Sequence, residues 1–318
     1  MPFAVPVIRN LILVGQPSQI NTNDLLVIRD CMKKVATDVR VMLVGREDDA
    51  RLITPEFWRE RTLTVSFGPL GRFQPLRGPV LANRSIAKLD QYHMLRKAGV
   101  RTPLTAPFEP GSSFDPREWG ALVIVKPAQL SRTSSGEGLA LFRTERINAI
   151  ALGEQPAPQG LLGQMLVQSF VDTGPRFSVY RCLTLFGSQI YQSVAEAEHT
   201  HPPLAGSDDA TIEAIHPEPP RGSTGVRLSK DPEIADFACQ MAAAFPDVPI
   251  LGCDILREHG SGELFAVEVN AGGNVWHLSS PRAAPWRRID STVRYLREFN
   301  SFETAAYALA RTVRAHAT

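Results

Sequence analysis

Apolar positions along the chain alternate between two spacings. Leu11-Ile-Leu-Val14 is an unbroken apolar run, the pattern of a strand covered on both faces, and Leu25, Ile28, Met32 and Val35 then recur at helical spacing. Val39 to Val44 predicts a second strand and Thr62 to Phe67 a third, after Pro55 to Arg61. Pro79 to Ala82 leads out of this small α/β unit. A boundary is predicted near Asn83.

Beyond it a helix is signalled. Ser85 is its expected cap, Ile86, Leu89, Tyr92, Leu95 and Ala98 form its inward face, Gly99 ends it and Pro103 follows. Lys88 falls in its first turn. Ala121 to Val125 predicts a buried strand ending in Lys126-Pro127, then the loop Ser131-Arg-Thr-Ser-Ser-Gly-Glu-Gly138 and a strand from Leu139 to Phe142. Leu166 to Val171 is another strand. Arg181 to Leu185 and Gln189 to Val194 suit a hairpin around Phe186-Gly-Ser188. Periodicity is lost between Glu196 and Arg227, which reads as a long surface loop or lid. Asp231-Pro232 opens a helix with Ile234, Phe237, Met241 and Ala244 inward.

The chemistry concentrates in Ile250-Leu-Gly-Cys-Asp254-Ile-Leu-Arg257 and Leu264-Phe-Ala-Val-Glu268-Val-Asn270, a predicted hairpin. Strand alternation projects Glu268 and Asn270 together and sends Phe265, Val267 and Val269 to the core. With the turn centred near Ser261, Asp254 faces Glu268. Two adjacent carboxylates repel, and a divalent ion with hard oxygen ligands removes that penalty; ordinary surface acids on a solvated hairpin are the alternative. Upstream, Lys126 leaves an apolar strand where its ammonium can meet phosphate oxygens or snorkel to solvent. Ser134, Ser135, Gly136 and Gly138 can wrap backbone N–H groups around an anion or form a plain flexible loop.

Composition narrows the classes. The chain has 318 residues, 43% hydrophobic and 21% charged, with a formal charge of +1. This is ordinary globular usage in two or three lobes, and nothing favours nucleic acid as a partner. Cys31, Cys182, Cys239 and Cys253 lack pair spacing, so no zinc knuckle or disulfide framework is indicated and a reducing cytoplasm is expected. No leader is recognised, and no apolar run reaches the roughly 18 to 20 residues of a membrane span. The first strand runs into Gly15-Gln-Pro-Ser-Gln-Ile20, without the later glycines of a dinucleotide fingerprint, and no Walker A sequence occurs.

Lysine-bearing helix, strand ending in lysine, Ser/Gly loop, hinge strand, then Asp and Glu-x-Asn: this order resembles the ATP-grasp superfamily, from about Asn83 to the C-terminus, near its peptide-ligating and D-alanyl-D-alanine ligase branches. The resemblance implies an α/β (α+β) ATP-grasp fold behind an N-terminal Rossmann-like domain, with units at 1–82, 83–165 and 166–318. It implies that Lys88 and Lys126 contact ATP phosphates under the Ser131 to Gly138 loop. Gln168, Ser169, Phe170 and Val171 would form the adenine hinge, and Asp254, Glu268 and Asn270 would hold Mg2+ or Mn2+. Arg181 and Lys126 would steady the transferred phosphoryl group or acyl phosphate, an exposed strand arginine being the alternative for Arg181. The implied activity is ATP-dependent joining of a small-molecule carboxylate to an amine or thiol through an acyl phosphate. A small-molecule kinase and a non-catalytic ATP-binding module are the rivals, and a homodimer is allowed.

The chain departs from the family pattern at Ser169, where an acid is common, and at Arg176, where a ribose-binding glutamate is common; Asp172 is the expected substitute. After Asn270 comes Ala271-Gly-Gly-Asn274-Val-Trp-His277, so Asn274, Trp276 and His277 are candidates to face the acceptor and Arg282, Arg287 and Arg288 to bind an anionic one, with packing or polar-surface roles the alternative for the tryptophan and histidine. Glu198-His199-Thr-His201 is read as a solvated loop in preference to a metal site.

Overall fold

A computed structural model of the chain describes residues 8–45, 53–71, 73–128, 139–158, 164–217, 226–272, 275–281 and 292–318. The strands are β1 (Arg9–Val14), β2 (Val39–Val44), β3 (Arg61–Ser66), β4 (Val80–Ala82), β5 (Thr105–Phe108), β6 (Leu122–Pro127), β7 (Ala140–Arg143), β8 (Met165–Ser169), β9 (Ser178–Leu185), β10 (Ser188–Glu196), β11 (Val226–Leu228), β12 (Ile250–Arg257) and β13 (Leu264–Asn270). The helices are α1 (Thr22–Val35), α2 (Lys88–Lys97), α3 (Pro116–Trp119), α4 (Thr144–Ala151), α5 (Asp209–Glu213), α6 (Pro232–Ala243), α7 (Thr292–Phe299) and α8 (Ser301–His316).

They build three sheets. The first is parallel, in the order β2-β1-β3-β4. Strand β1 is apolar from Leu11 to Val14 because both faces are covered: Leu11 and Leu13 meet Leu25, Ile28 and Met32 of α1, while Ile12 and Val14 meet Val44, Phe57 and Phe73. The second is antiparallel, β5-β8-β6-β7, with Val123, Val125 and Val167 against Ile147 of α4. The third is antiparallel, β11-β10-β9-β12-β13. Its β9–β10 hairpin turns through Phe186 and Gly187, both at positive φ (47° and 76°), the pair of left-handed positions a two-residue hairpin demands.

Two covers settle the third sheet. α6 is capped by Asp231, whose carboxylate accepts from the N–H of Glu233 at 3.0 Å, and it buries Ile234, Ala238 and Met241 against Cys182, Cys253 and Val269. Phe237 and Ala244, predicted inward, only border that core. On the other face α8 presents Ala305, Ala306, Leu309 and Val313 to a core shared with β1, β3, β9 and α1, and the Arg314–Asp38 ion pair ties it to the start of β2. Buried Asn83 follows β4 and donates to the carbonyls of Ile250 (2.6 Å) and Ala271 (2.9 Å), fixing the chain that leaves the first sheet to both strands of the β12–β13 hairpin.

Three local expectations change. α2 begins at Lys88 with Ala87 at its cap position, and Ser85 makes no cap bond; the side chain of Gln91 reaches back instead to the Ile86 carbonyl at 2.9 Å. Leu89 is 37% exposed, so the buried stripe of α2 is Lys88, Gln91, Tyr92 and Leu95. Its C-terminus ends in a Schellman arrangement at Gly99 (φ 75°), the N–H of Val100 bonding to Leu95 and that of Gly99 to Arg96. In the 196–227 segment, α5 and β11 replace part of the predicted loop, and Ile212 and Ile215 pack on Ile124 and Leu141; residues 218–225 lie outside the described set.

Candidate functional site

β9, β12 and β13 lie side by side, and their register aligns three charged side chains in a row: Arg181 opposite Asp254, and Asp254 opposite Glu268. On that face of the sheet the apolar end, Leu183, Leu185 and Ile250, sits under α8, and the row forms the polar end. Gly252 separates the two ends. A Cβ there would stand 3.1 Å from Cγ1 of Val275 and 3.4 Å from Cβ of Asn270, so glycine lets Asn270 close in.

Arg181 grips Asp254 with two bonds, Nε to Oδ1 at 2.7 Å and Nη2 to Oδ2 at 2.5 Å. Asn270 Nδ2 adds a third, to Oδ2 at 3.1 Å. Burial disfavours the arginine's charge, but the Asp254 carboxylate more than offsets that and raises its pKa. Asp254 is thus held by protein donors on both oxygens, and among the described residues Glu268 makes no ion pair. Two acids and one arginine leave the row with one negative charge.

The alternation predicted for β13 fails midway. Pairing slips between Asp254 and Ile255, so that Asp254 faces Glu268 while Ile255 faces Ala266, and Val267 bulges. Ala266 and Val269 therefore reach the core, and Phe265 and Val267, expected there, do not. The bulge re-aims the strand just before Glu268.

β13 is an edge strand, and α2 satisfies its outward backbone. Gln91 Oε1 accepts the Val269 N–H at 2.9 Å, and the Tyr92 hydroxyl donates to the Val267 carbonyl. The same hydroxyl accepts from Lys126 Nζ at 2.7 Å and from Gln168 Nε2 at 2.9 Å. Lys126 Nζ also donates to Gln168 Oε1 at 2.9 Å and lies 5.2 Å from the Tyr92 ring centre. Lys88, at the head of α2, donates to the carbonyl of Pro127 at 3.3 Å. Both ammonium groups thus gather where β6 ends and the 129–138 segment begins. Lys88 is 3% and Lys126 4% exposed, so Lys126 does not snorkel from its strand end to solvent and Lys88 is not on the solvent face of its helix.

Gln168 is 2% exposed and anchors the end of β8 to Lys126, Tyr92 and Thr105. The Ser169 N–H bonds to the Leu104 carbonyl at 2.9 Å and the Phe170 N–H to that of Leu122 at 3.2 Å, so these two donors of the predicted hinge are engaged within the fold. Val171 is buried. Asp172 caps the Gly174 N–H with Oδ1 at 2.8 Å, and its carbonyl accepts the His259 N–H at 2.8 Å, which brings the tip of the β12–β13 hairpin onto the hinge loop. Arg176 lies 3.7 Å from Glu196.

Other candidates sit elsewhere. Trp276 is 1% exposed, stacks on Phe67 at 5.7 Å and donates Nε1 to Asp24 at 2.8 Å; it is a core residue joining the third sheet to the first, not an acceptor contact. His277 lies 6.3 Å from the ring of Tyr191, whose surroundings include Arg181 and Asp254. His201 stacks on Phe177 at 4.4 Å with Nε2 3.1 Å from the Gly174 carbonyl, and among the described residues no cluster of three His, Cys, Asp or Glu can hold a metal. Ser134, Ser135, Gly136, Gly138, Asn274, Arg282, Arg287 and Arg288 lie outside the described residues. Among the described residues no helix is long and apolar enough to cross a membrane.

The architecture is mixed α/β, one parallel and two antiparallel sheets with the polar row and the lysines meeting around α2. Solved structures of ATP-grasp ligases are among those to which it is similar. The D-cycloserine synthetase DcsG is 13% identical, the alignment covering 96% of this chain and 99% of that one at a TM-score of 0.48. The D-alanine–D-alanine ligase from Bacillus anthracis complexed with ATP is 11% identical over 96% and 98%, TM-score 0.42. The ATP-grasp ligase PsnB with a phosphomimetic variant of its minimal precursor, Mg and ADP is 13% identical over 94% and 98%, TM-score 0.48. No protein-family model and no curated protein matches the chain.

Proposed function

We propose that the chain is an ATP- and magnesium-dependent ligase that joins a small-molecule carboxylate to an amine, organised as units 1–82, 83–165 and 166–318. The observation that carries this reading is the pairing of an acid row, Asp254 and Glu268 with Asn270, with two buried ammonium groups, Lys126 tied to the strand of Glu268 through Tyr92 and Lys88 held on the Pro127 carbonyl. Phosphate oxygens suit Lys88 and Lys126, and a negatively charged set of hard oxygens suits Mg2+. Asp254, Glu268 and Asn270 would hold that ion, which would neutralise phosphate charge during transfer; the set fits provided Arg181 yields one oxygen of Asp254.

In this reading the substrate carboxylate attacks the γ-phosphorus of ATP in line, the bond to the ADP oxygen breaks, and an acyl phosphate forms. The amine then attacks the carbonyl carbon, phosphate leaves, and the amine proton passes to solvent. Lys126 and Lys88 orient and neutralise the phosphates, and Arg181, two-thirds buried in the row, swings its fork from Asp254 toward the developing anion. Gln168 to Asp172 would lie against adenine and ribose, with contacts limited to the groups the fold leaves open. The 131–138 loop would exclude water from the acyl phosphate.

The test is a paired screen of amino acids and small carboxylates for release of ADP and free phosphate. A ligase releases both only when carboxylate and amine are present together. Release of ADP with phosphate retained on one substrate makes the chain a kinase, and ATP binding without release under any pair reduces it to a binding module.

A further inference from the structure

Tyr92 entered the sequence reading as one apolar position of a helix, yet its hydroxyl lies at the junction of the second and third sheets. All of its hydrogen-bonding capacity is used. Its proton goes to the Val267 carbonyl, one residue before Glu268, and its two lone pairs accept from Lys126 Nζ at 2.7 Å and Gln168 Nε2 at 2.9 Å. Gln168 closes the arrangement by accepting a second Lys126 proton at 2.9 Å and donating to Thr105 at 2.9 Å. Burial raises the phenol's pKa, the Glu268 charge adding to this against the Gln168 bond, so the hydroxyl keeps its proton at any working pH.

An ordinary buried lysine is long, flexible and costly to hold in one place. Among the described residues the ammonium is held by two acceptors that are themselves fixed, one on β8 and one on α2, and the second is clamped to the strand carrying Glu268 and Asn270. We propose that Tyr92 is a positioning residue of the nucleotide site: through its hydroxyl it sets the Lys126 ammonium at a defined distance from the acid row and so couples phosphate contact to the metal-side acids. The inference rests on the nucleotide reading given above. It also has content without it, since Lys126 must become less constrained when the hydroxyl is removed.

The experiment compares wild type, Tyr92→Phe, Lys126→Met and the double variant as full-length protein. Three quantities are read: the dissociation constant for Mg·ATP by calorimetry, the melting temperature without ligand, and the rate at which acetic anhydride acetylates Lys126, measured by peptide mass spectrometry. Tyr92→Phe is expected to weaken Mg·ATP about tenfold, the worth of one charge-assisted bond, and to raise Lys126 acetylation several-fold. On a Lys126→Met background it adds nothing further to the loss of affinity. A lowered melting temperature with wild-type affinity and wild-type acetylation makes Tyr92 a structural residue only and overturns the proposal. If wild type binds no Mg·ATP the nucleotide reading is lost, and acetylation alone decides Tyr92: an unchanged rate overturns its hold on Lys126, a raised one upholds it. Should Tyr92→Phe not fold, Tyr92→His, whose ring cannot span Val267 and Lys126 together, is read in the same two assays.

Discussion

Replacing Asp254 by Asn tests the row at its centre. The carboxylate is 13% exposed and its arginine partner 33%, placing the pair between the exposed and buried limits. Exposed pairs are worth about 0.2 to 1 kcal/mol, whereas breaking a buried one costs about 3 to 5 kcal/mol. The Asn amide puts a donor against one of the two guanidinium bonds, at 2.7 and 2.5 Å, and removes the charge from both. A loss of about 2 kcal/mol follows, which for a chain of this size lowers the melting temperature by roughly 4 °C. Arg181→Met is expected to cost a similar amount, because it leaves two acids facing each other across β12 and β13. The double variant is the decisive measurement: having lost both partners of one interaction, it falls short of the sum of the singles by about 1 to 2 kcal/mol in thermal melts without nucleotide. Additivity within about 0.5 kcal/mol would refute the pair as an energetic unit.

Glu268→Gln keeps the shape of the row and removes its remaining charge; turnover of ADP is expected to fall by about a hundredfold or more while ATP still raises the melting temperature, and unchanged turnover would dismiss Glu268 from the reaction. Asp38→Asn addresses α8. The Arg314 hydrogen bond lowers the pKa of Asp38 below 3.8, so the stabilisation is present above the unfolded value and is lost as pH falls through the folded one. With Arg314 46% exposed the pair is worth about 0.5 kcal/mol, so the variant is expected to melt about 1 °C lower at neutral pH. The difference should shrink as pH falls below the ordinary carboxylate range and Asp38 takes up its proton. A gap that persists in acid would mean that packing, not charge, accounts for it.

Elements dominated by local signals are legible in the sequence. Unbroken apolar runs such as Leu11 to Val14 announce strands covered on both sides, Asp231-Pro232 announces a capped helix, and Phe186-Gly-Ser188 announces a hairpin, though the turn is one residue tighter than read because β10 already begins at Ser188. What is not legible depends on distant partners. No residue type marks the bulge at Val267, so strict alternation carried Phe265 and Val267 to the wrong face. α8 escaped notice because Ala305, Ala306, Ala308 and Ala310 give a weak hydrophobic stripe, though small residues are what let a helix settle closely on α1 and β1. Trp276, shortly after β13, reads from the sequence either as an acceptor contact or as a packing residue, and only Phe67 and Asp24, more than two hundred residues earlier, decide for packing. Tyr92 is the sharpest case. Helical spacing assigns it to the core correctly, yet its three hydrogen-bond partners come from β6, β8 and β13.

Those partners also explain why α2 matters beyond carrying Lys88. An edge strand with a bulge exposes backbone groups that water or another chain would otherwise take. Gln91 and Tyr92, adjacent on α2, occupy the Val269 N–H and the Val267 carbonyl, one on each side of Glu268. The strand that presents the acid is thereby held at two points by the helix that presents a lysine, and the second lysine hangs from one of those points. A displacement of α2 must then move Lys88, Lys126 and Glu268 together. Groups held on independent elements would each adjust to a ligand alone; tied to one helix, they would, on the function proposed above, meet a metal–triphosphate as a single preorganised surface, which favours in-line transfer without prior rearrangement of the acids.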